Sequence, residues 1–450
     1  MNNRRSHTAL HVLRNGLWLL LAAASMACNP APKSSEEEIA RVREFIRTSW
    51  EGTVRFNPTD SQTLIGLPRP YTVPCAGETF QELYYWDTFF ANEGLIRDGH
   101  LDQARNNTED MLYLVRRYGF MPNGSRTWYL NRSQPPFLCM MVDRIFEQTR
   151  DTAWLAEAFP TLRREYDFWM TRRIAPCGLN HYASSADTAL RLEFVATAGQ
   201  RLGTDFRKKG LSESELLKLG AHFAAEAESG WDFNPRFERR CEDFCPVDLN
   251  ANLYFYETAF ARYATLLGDE ASAAEWQRAA DVRRERINRL CLTDDGIYYD
   301  YDYVNDRRST VVSGAVFSLL YAGLPDARQA RRLVKKALPR LEFEYGIAAC
   351  EEKPYEYVYQ WSYPNGWAPI TYLAIRGLDR YGFSAKARRI ARKYVATVVD
   401  TFAQTHNLWE KYNVREGNAN VSHEYQTPPM LGWSAGTFVY ACDFLAGKQL

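Results

Sequence analysis

From residue 36 onward the chain alternates between two kinds of helical pattern. In the first kind, apolar residues recur every three and four positions and charges are scarce all round, as in Leu253, Tyr256, Phe260, Tyr263 and Leu267. In the second kind one face is apolar and the other charged: 269–292 carries Glu275, Arg278, Arg283, Arg284 and Glu285. A helix that is apolar on every side needs cover on every side, and a helix charged on one face can supply it. The greasy pattern predicts helices over 83–97, 134–149, 248–267, 309–323, 365–381 and 433–446. The charged pattern predicts helices over 36–50, 101–118, 151–174, 270–291, 325–341 and 384–406. This alternation predicts an all-α fold, an (α/α)6 barrel whose inner ring is wrapped by an outer one. The first outer helix would close against the last inner one.

Connection lengths add direction. Links from greasy to charged helices are short, as in Asp98-Gly-His100, Gly268-Asp-Glu270, Ala322-Gly-Leu-Pro325 and Tyr381-Gly-Phe-Ser384. Links from charged to greasy helices are long and hold nearly all the unusual polar and aromatic sequence. In a double ring, links of one kind share one end, so the long loops are expected to meet at one mouth, where function concentrates. The longest insertion, 187–230, contains a short helix near 212–227. No break calls for a second domain, so one barrel domain is expected over 39–450.

Composition narrows the partner. Lysine plus arginine equals aspartate plus glutamate at 55 each, so no global field favours nucleic acid or an anionic membrane. The 12 Trp, 27 Tyr and 24 Phe fill cores and suit stacking on sugars. The expected partner is a small neutral molecule, met by a monomer.

At the N-terminus Arg4, Arg5 and Arg14 precede an apolar run, 17–24, too short to span a bilayer. Ala24-Ser-Met-Ala-Cys28 resembles a bacterial lipobox, with Ser25 where a large aliphatic residue is usual. The expectation is a signal peptide over 1–27, lipid on Cys28 and a tether over 28–38. The protein would then be an exported, periplasmic or cell-surface lipoprotein, anchored to a membrane without spanning it. Export would permit disulfides among the remaining cysteines. Only Cys241 and Cys245 are close in sequence, and without a second pair or a nearby His they make a poor zinc site. Phosphate loop, dinucleotide fingerprint and metal motif are all missing, so neither cofactor nor metal is expected.

Among the long loops, Glu228-Ser-Gly-Trp-Asp232-Phe-Asn-Pro-Arg236-Phe237 puts a carboxylate beside a large ring, after a glycine that frees the backbone. An apolar neighbour such as Trp231 disfavours ionisation and suits Asp232 to act as a general acid. Equally, the stretch reads as a loop aspartate capping a helix. Its companions are Glu82-Leu-Tyr-Tyr-Trp86-Asp87, Asn123-Gly-Ser-Arg126, Arg132-Ser-Gln134-Pro-Pro, Arg191-Leu-Glu193, Gln360-Trp361-Ser-Tyr-Pro-Asn-Gly-Trp367, Trp409-Glu410-Lys-Tyr412 and His423-Glu424-Tyr425.

In this order, from about Val73 to Trp433, these runs resemble the trehalase family, glycoside hydrolase family 37. The resemblance implies an inverting glycosidase that splits α,α-trehalose into glucose. Asp232 stands where the family has its general acid and Glu410 where it has its general base. Such chemistry needs two carboxylates about 6.5–9.5 Å apart with a water between one of them and the anomeric carbon. The resemblance also implies a sugar pocket lined by Trp86, Asp87, Asn123, Arg132, Gln134, Arg191, Glu193 and Glu424, with Trp367 as a stacking face. Four departures stand out, the first being Arg191-Leu-Glu193 where the family has a Pro-Arg-Pro-Glu context. Gly77-Glu78-Thr79 replaces the family's Gly-Gly-Arg, Ser362 replaces an aspartate, and 418–423 replaces a glycine-rich stretch. These weaken trehalose as the substrate more than they weaken hydrolysis. Another short α-glucoside or α-mannoside is the alternative, and a non-catalytic surface glycan-binding lipoprotein is the alternative from a different class.

Overall fold

The structure is a computed structural model and describes residues 34–421 and 431–448. Cys28, the leader around it and Glu424 lie outside the described residues. The first helices in chain order are α1 (Glu36–Ser49), α2 (Tyr85–Arg97), α3 (Leu101–Tyr118), α4 (Leu138–Thr149), α5 (Thr152–Arg172), α6 (Thr188–Arg201) and α7 (Glu213–Ser229). They are followed by α8 (Val247–Leu266), α9 (Glu270–Leu290), α10 (Val316–Ala322), α11 (Ala327–Leu341), α12 (Ala368–Arg380), α13 (Ser384–Thr405) and α14 (Gly432–Leu445).

The greasy helices form a closed ring. Contacts run from α2 to α4, α4 to α8, α8 to α10, α10 to α12, α12 to α14, and from α14 back to α2. The fold is an (α/α)6 barrel, as the alternation predicts. Closure is visible at α1, which packs on α13 and α14. Its Arg43 bonds Asp443 on α14 and Asp98 just past α2, each at 3.0 Å. A capping box at Ser35 and Glu38 starts this helix inside the stretch expected as tether. No helix among the described residues is long and apolar enough to cross a membrane.

The inner helices bury nearly every side chain, including polar ones that need partners. Glu165 on α5 shows how: it accepts from the hydroxyls of Tyr85 on α2 and Tyr256 on α8. Burial pushes its carboxyl up to about 7, so it bridges three helices without placing a full charge in the core.

Three inner helices start three or more residues later than their patterns predict. α4 begins at Leu138 because Pro135 and Pro136 hold the preceding residues extended. α12 begins at Ala368 because Asn365–Trp367 is a strand, paired antiparallel with the strand Lys411–Asn413. α10 begins at Val316 because the residues before it bond elsewhere: Ser313 bridges Cys350, and Val312 N donates to Glu351. The insertion 187–230 holds two helices where one is expected. Asp187 caps the unforeseen α6 by accepting from Leu190 N. α6 crosses α7 so closely that a Cβ on Gly220 would sit 2.1 Å from the Arg191 carbonyl oxygen.

Candidate active site

At the mouth, where the inner helices begin, the loops enclose a cavity of about 200 Å³. Its walls include Trp86, Asp87, Asn123, Arg132, Gln134, Asp232, Trp367 and Glu410, together with Phe80, Tyr129, Arg201, Gln360, Trp361 and Trp433. A larger cleft of about 990 Å³ lies at the opposite end, along the last turns of α4 and α8. That end carries the short links.

Asp232 is placed by the end of α7. Gly230 ends that helix at φ 71°, where a side chain would be strained, and a Cβ there would meet the Trp86 indole at 2.9 Å. Both ends of the loop are clamped by buried charges. At the start, Glu228 accepts from Arg173 Nε at 2.8 Å and Nη2 at 2.9 Å, and from Ser133 N and Ala183 N at 2.8 Å. At the finish, Arg236 is fully buried between Asp248 and Asp300, with bonds of 2.8–3.0 Å. Removing one partner from such a buried pair costs about 3–5 kcal/mol. The loop is therefore a rigid platform.

On it, Trp231 turns away from the acid. Its ring stacks on Trp361 with centroids 5.0 Å apart, and the Arg236 guanidinium covers it at 4.5 Å. What the Asp232 carboxylate meets is a cation: Arg201 Nη1, at the tip of α6, lies 2.7 Å from Oδ2. The side chain is 31% exposed, towards the cavity. The aromatic neighbour expected to tune this acid is thus a packing residue, and its place is taken by an arginine the sequence reading did not single out.

Glu410 comes from the other side. It immediately precedes the strand Lys411–Asn413, whose pairing with Asn365–Trp367 aligns Lys411 with Trp367. Glu410 Oε2 accepts from Lys411 Nζ at 3.0 Å, both side chains being almost fully buried. The same Lys411 Nζ donates to Gln360 Oε1 at 3.0 Å, and Gln360 Nε2 donates to the Asp232 carbonyl at 2.6 Å. One amide therefore links the two loops that carry the carboxylates. Asp87 completes the acidic group: burial first, then the nearby Glu410 and Asp232 charges, pushes its carboxyl up to about 7.

The remaining expected residues divide. Trp86, Asn123, Arg132 and Gln134 line the cavity as expected. Gln134 Oε1 accepts from Trp86 N at 3.2 Å, and Arg132 stacks over Tyr129 and Phe194 with its Nε buried and unbonded. Burial lowers the Arg132 pKa, which marks a desolvated cation open to a polar ligand. Trp367 is in the wall, but one face is stacked on Trp361 at 3.7 Å and Lys411 covers it at 4.7 Å. It packs, and offers no stacking face. Arg191 is outside the cavity, bonded to Ala186 O at 2.9 Å over a separate depression with Glu213 and Glu242. Glu193 is exposed on α6. Both belong to the wrong helix turns, because the α6–α7 crossing at Gly220 fixes where Arg191 can reach. Of the two departures that fall near the cavity, neither Thr79 nor Ser362 is in its lining, although Phe80 and Trp361 beside them are. Among the described residues no cluster of His, Cys, Asp and Glu could hold a metal ion.

A sequence model of the trehalase family matches residues 26–446. The chain belongs to the trehalase family. Among solved structures it is similar to the neutral trehalase Nth1 from Saccharomyces cerevisiae, with a TM-score of 0.73 and 28% identity, covering 89% of this chain and 80% of that one. The fold is also that of the GH63 mannosylglycerate hydrolase from Thermus thermophilus, with TM-score 0.62 and 17% identity over 89% of this chain and 99% of the other. A metal-independent α-mannosidase from Streptococcus pneumoniae shares it too, with TM-score 0.57 and 13% identity over 97% and 98%. This member of the trehalase family is a glycoside hydrolase.

Proposed function

We propose that the enzyme hydrolyses α,α-trehalose to glucose with inversion, Asp232 acting as general acid and Glu410 as general base. The observation that carries this reading is the meeting of these two carboxylates, from distant parts of the chain, in one cavity and on one Gln360 bridge. The similarity to a neutral trehalase supports the substrate.

In this scheme the cavity takes one sugar ring. Asp87, Asn123, Arg132 and Gln134 supply the donors and acceptors that a ring of hydroxyls needs, and the indole of Trp86 forms part of the wall. Asp232 gives its proton to the glycosidic oxygen as the bond to the anomeric carbon breaks. Glu410, oriented by Lys411, takes a proton from the water that attacks the opposite face. The water's oxygen ends on the anomeric carbon, with configuration inverted. The clamped Asp232 loop and the Gln360–Lys411 link to Glu410 hold the two carboxylates in place, and positioning of this kind is where much of the rate is gained.

A second reading keeps the carboxylates and changes the sugar. It is favoured by Arg201, a cation in the cavity wall beside the acid, which could receive a polar group on another short α-glucoside or α-mannoside. Chromatography of products from trehalose, kojibiose, nigerose and mannosylglycerate decides between them. Glucose released from trehalose faster than from the others is the expected result, and better turnover of any other compound replaces trehalose as substrate. The N-terminal features support export and lipid anchoring at Cys28. Radiolabelled palmitate on the wild type and its loss in Cys28→Ser would test that.

A further inference from the structure

Below the acid loop lies a second chemical feature. The sulfurs of Cys177 and Cys245 are 3.6 Å apart and both are free thiols. Cys177 is part-exposed on a tight turn after α5, closed by Gly178 N donating to Ala175 O at 2.8 Å. Cys245 is buried at the end of a short strand, Phe244–Cys245, which pairs with the strand Tyr301–Asp302 and leads directly into α8. The two thiols differ in character. The hydrogen bond from Cys245, with help from the Leu179 amide and the Arg286 charge, brings Cys177 down to about 6, whereas burial drives Cys245 well up. The accessible sulfur is the nucleophile and the buried one is placed to follow it.

We propose that Cys177 and Cys245 are a disulfide-forming site that takes a small-molecule or protein disulfide as oxidant. The Cys177 thiolate attacks one sulfur of the oxidant, for example oxidised glutathione, and expels one thiolate. Cys245 then loses its proton and attacks the Cys177 sulfur of the mixed disulfide, expelling the second. Two cysteine thiols give up two electrons and two protons, and the oxidant becomes two thiols. The sulfurs must close from 3.6 Å to a bond of about 2.05 Å. A side chain on a surface turn absorbs that movement more readily than one inside a helix.

The position gives the bond a purpose. Arg173, just upstream of Cys177, holds Glu228 at the start of the Asp232 loop. Asp248, just downstream of Cys245, holds Arg236 at its end. A covalent link between these two segments would staple the supports of the candidate acid to each other. The inference does not depend on which sugar is cleaved.

The test is incubation of the purified, folded enzyme with oxidised glutathione, followed by peptide mapping without reduction and by thermal unfolding. The expected result is a Cys177–Cys245 cross-linked peptide and an apparent midpoint raised by about 2–5 °C, both reversed by dithiothreitol. Cys177→Ser should lose the cross-link and the shift. Cys245→Ser should retain glutathione on Cys177. Because Cys177 is part-exposed, Cys177→Ser alone carries the comparison if the buried replacement does not fold. A wild type that keeps glutathione on Cys177 without a cross-link, that links Cys177 to any other cysteine instead, or that loses no thiol overturns the proposal.

Discussion

The guanidinium of Arg201 lies 2.7 Å from the carboxylate of Asp232, joining the tip of α6 to the loop that follows α7. The same guanidinium sits 5.6 Å from the centre of the Phe233 ring, so it is held on two sides. In the proposed mechanism Asp232 hands a proton to the leaving oxygen, which it cannot do while it accepts from a guanidinium. On that mechanism substrate entry parts the pair, and Arg201 is then placed to donate to the sugar. A charge-assisted bond of this kind is worth about 1.5–3 kcal/mol. Arg201→Ala is expected to lower kcat/KM on trehalose about 10–100-fold, mostly through KM, with Arg201→Lys between it and the wild type. Steady-state kinetics reads this out, and wild-type constants for the alanine variant would reduce the pair to a surface contact.

Replacing either carboxylate of the proposed acid–base pair by its amide keeps shape and removes the proton chemistry assigned to it. Asp232→Asn and Glu410→Gln are each expected to lower kcat by about 10²–10⁴-fold or more, while calorimetry still detects trehalose binding. Glu410→Gln leaves Lys411 facing an amide in a buried place, so its thermal midpoint should also drop. Turnover preserved in both variants would put the chemistry elsewhere.

How much of this was legible follows from what each feature depends on. The barrel was legible because burial on every side leaves a periodic mark, and all twelve helices expected from it are present. That Asp232 and Glu410 would meet at one cavity was legible from runs of residues in a fixed order. Arg201 was not. The Arg191-Leu-Glu193 run offered an arginine and a glutamate at a familiar spacing, but which turn of α6 faces the cavity is set by the Gly220 crossing, a tertiary contact with no local signature. Asp187 and Gly203 do mark the ends of α6, and reading them as a cap and a stop would have put Arg201 at a helix tip. Trp367 misled for a similar reason: a tryptophan at a helix start says nothing of which rings and cations already cover its faces.

Gln360 stood in the quoted loop without a role, and the structure gives it one. Its amide donates to the Asp232 carbonyl and accepts from Lys411, which in turn holds Glu410. Gln360→Ala removes the bridge without touching either carboxylate. The expected outcome is a fall in kcat of about 10²-fold, as for a small misplacement of reacting groups, with KM moved much less. Gln360→Glu can still accept from Lys411 but, when ionised, cannot donate to the Asp232 carbonyl, so it should fail to restore the rate. Equal losses in kcat and thermal midpoint together would mean that Gln360 only supports the fold.

Asp87 makes the site pH-sensitive in a direction that can be worked out. Its carboxyl takes up a proton at about 7 in the folded chain, against 3.8 for an ordinary aspartate, because burial and the Glu410 and Asp232 charges disfavour its ionised form. Between those two values the folded chain holds more protons than the unfolded chain. Stability from this group is therefore greatest at acid pH and declines as pH rises through the window. Asp87 borders a cavity that water can enter, so the loss by about pH 8 is discounted to roughly 1–3 kcal/mol. Asp87→Asn removes a group that must ionise at a cost and leaves one of equal size. The variant should unfold at a higher temperature than the wild type at about pH 8, with the gap closing towards about pH 4, below which both side chains are neutral. Glu165 and Asp110, pushed up to about 7 and about 8 by burial, titrate in both proteins and cancel in the difference. A gap that stays constant across the range, or that widens towards acid, would show that Asp87 is not the group being strained.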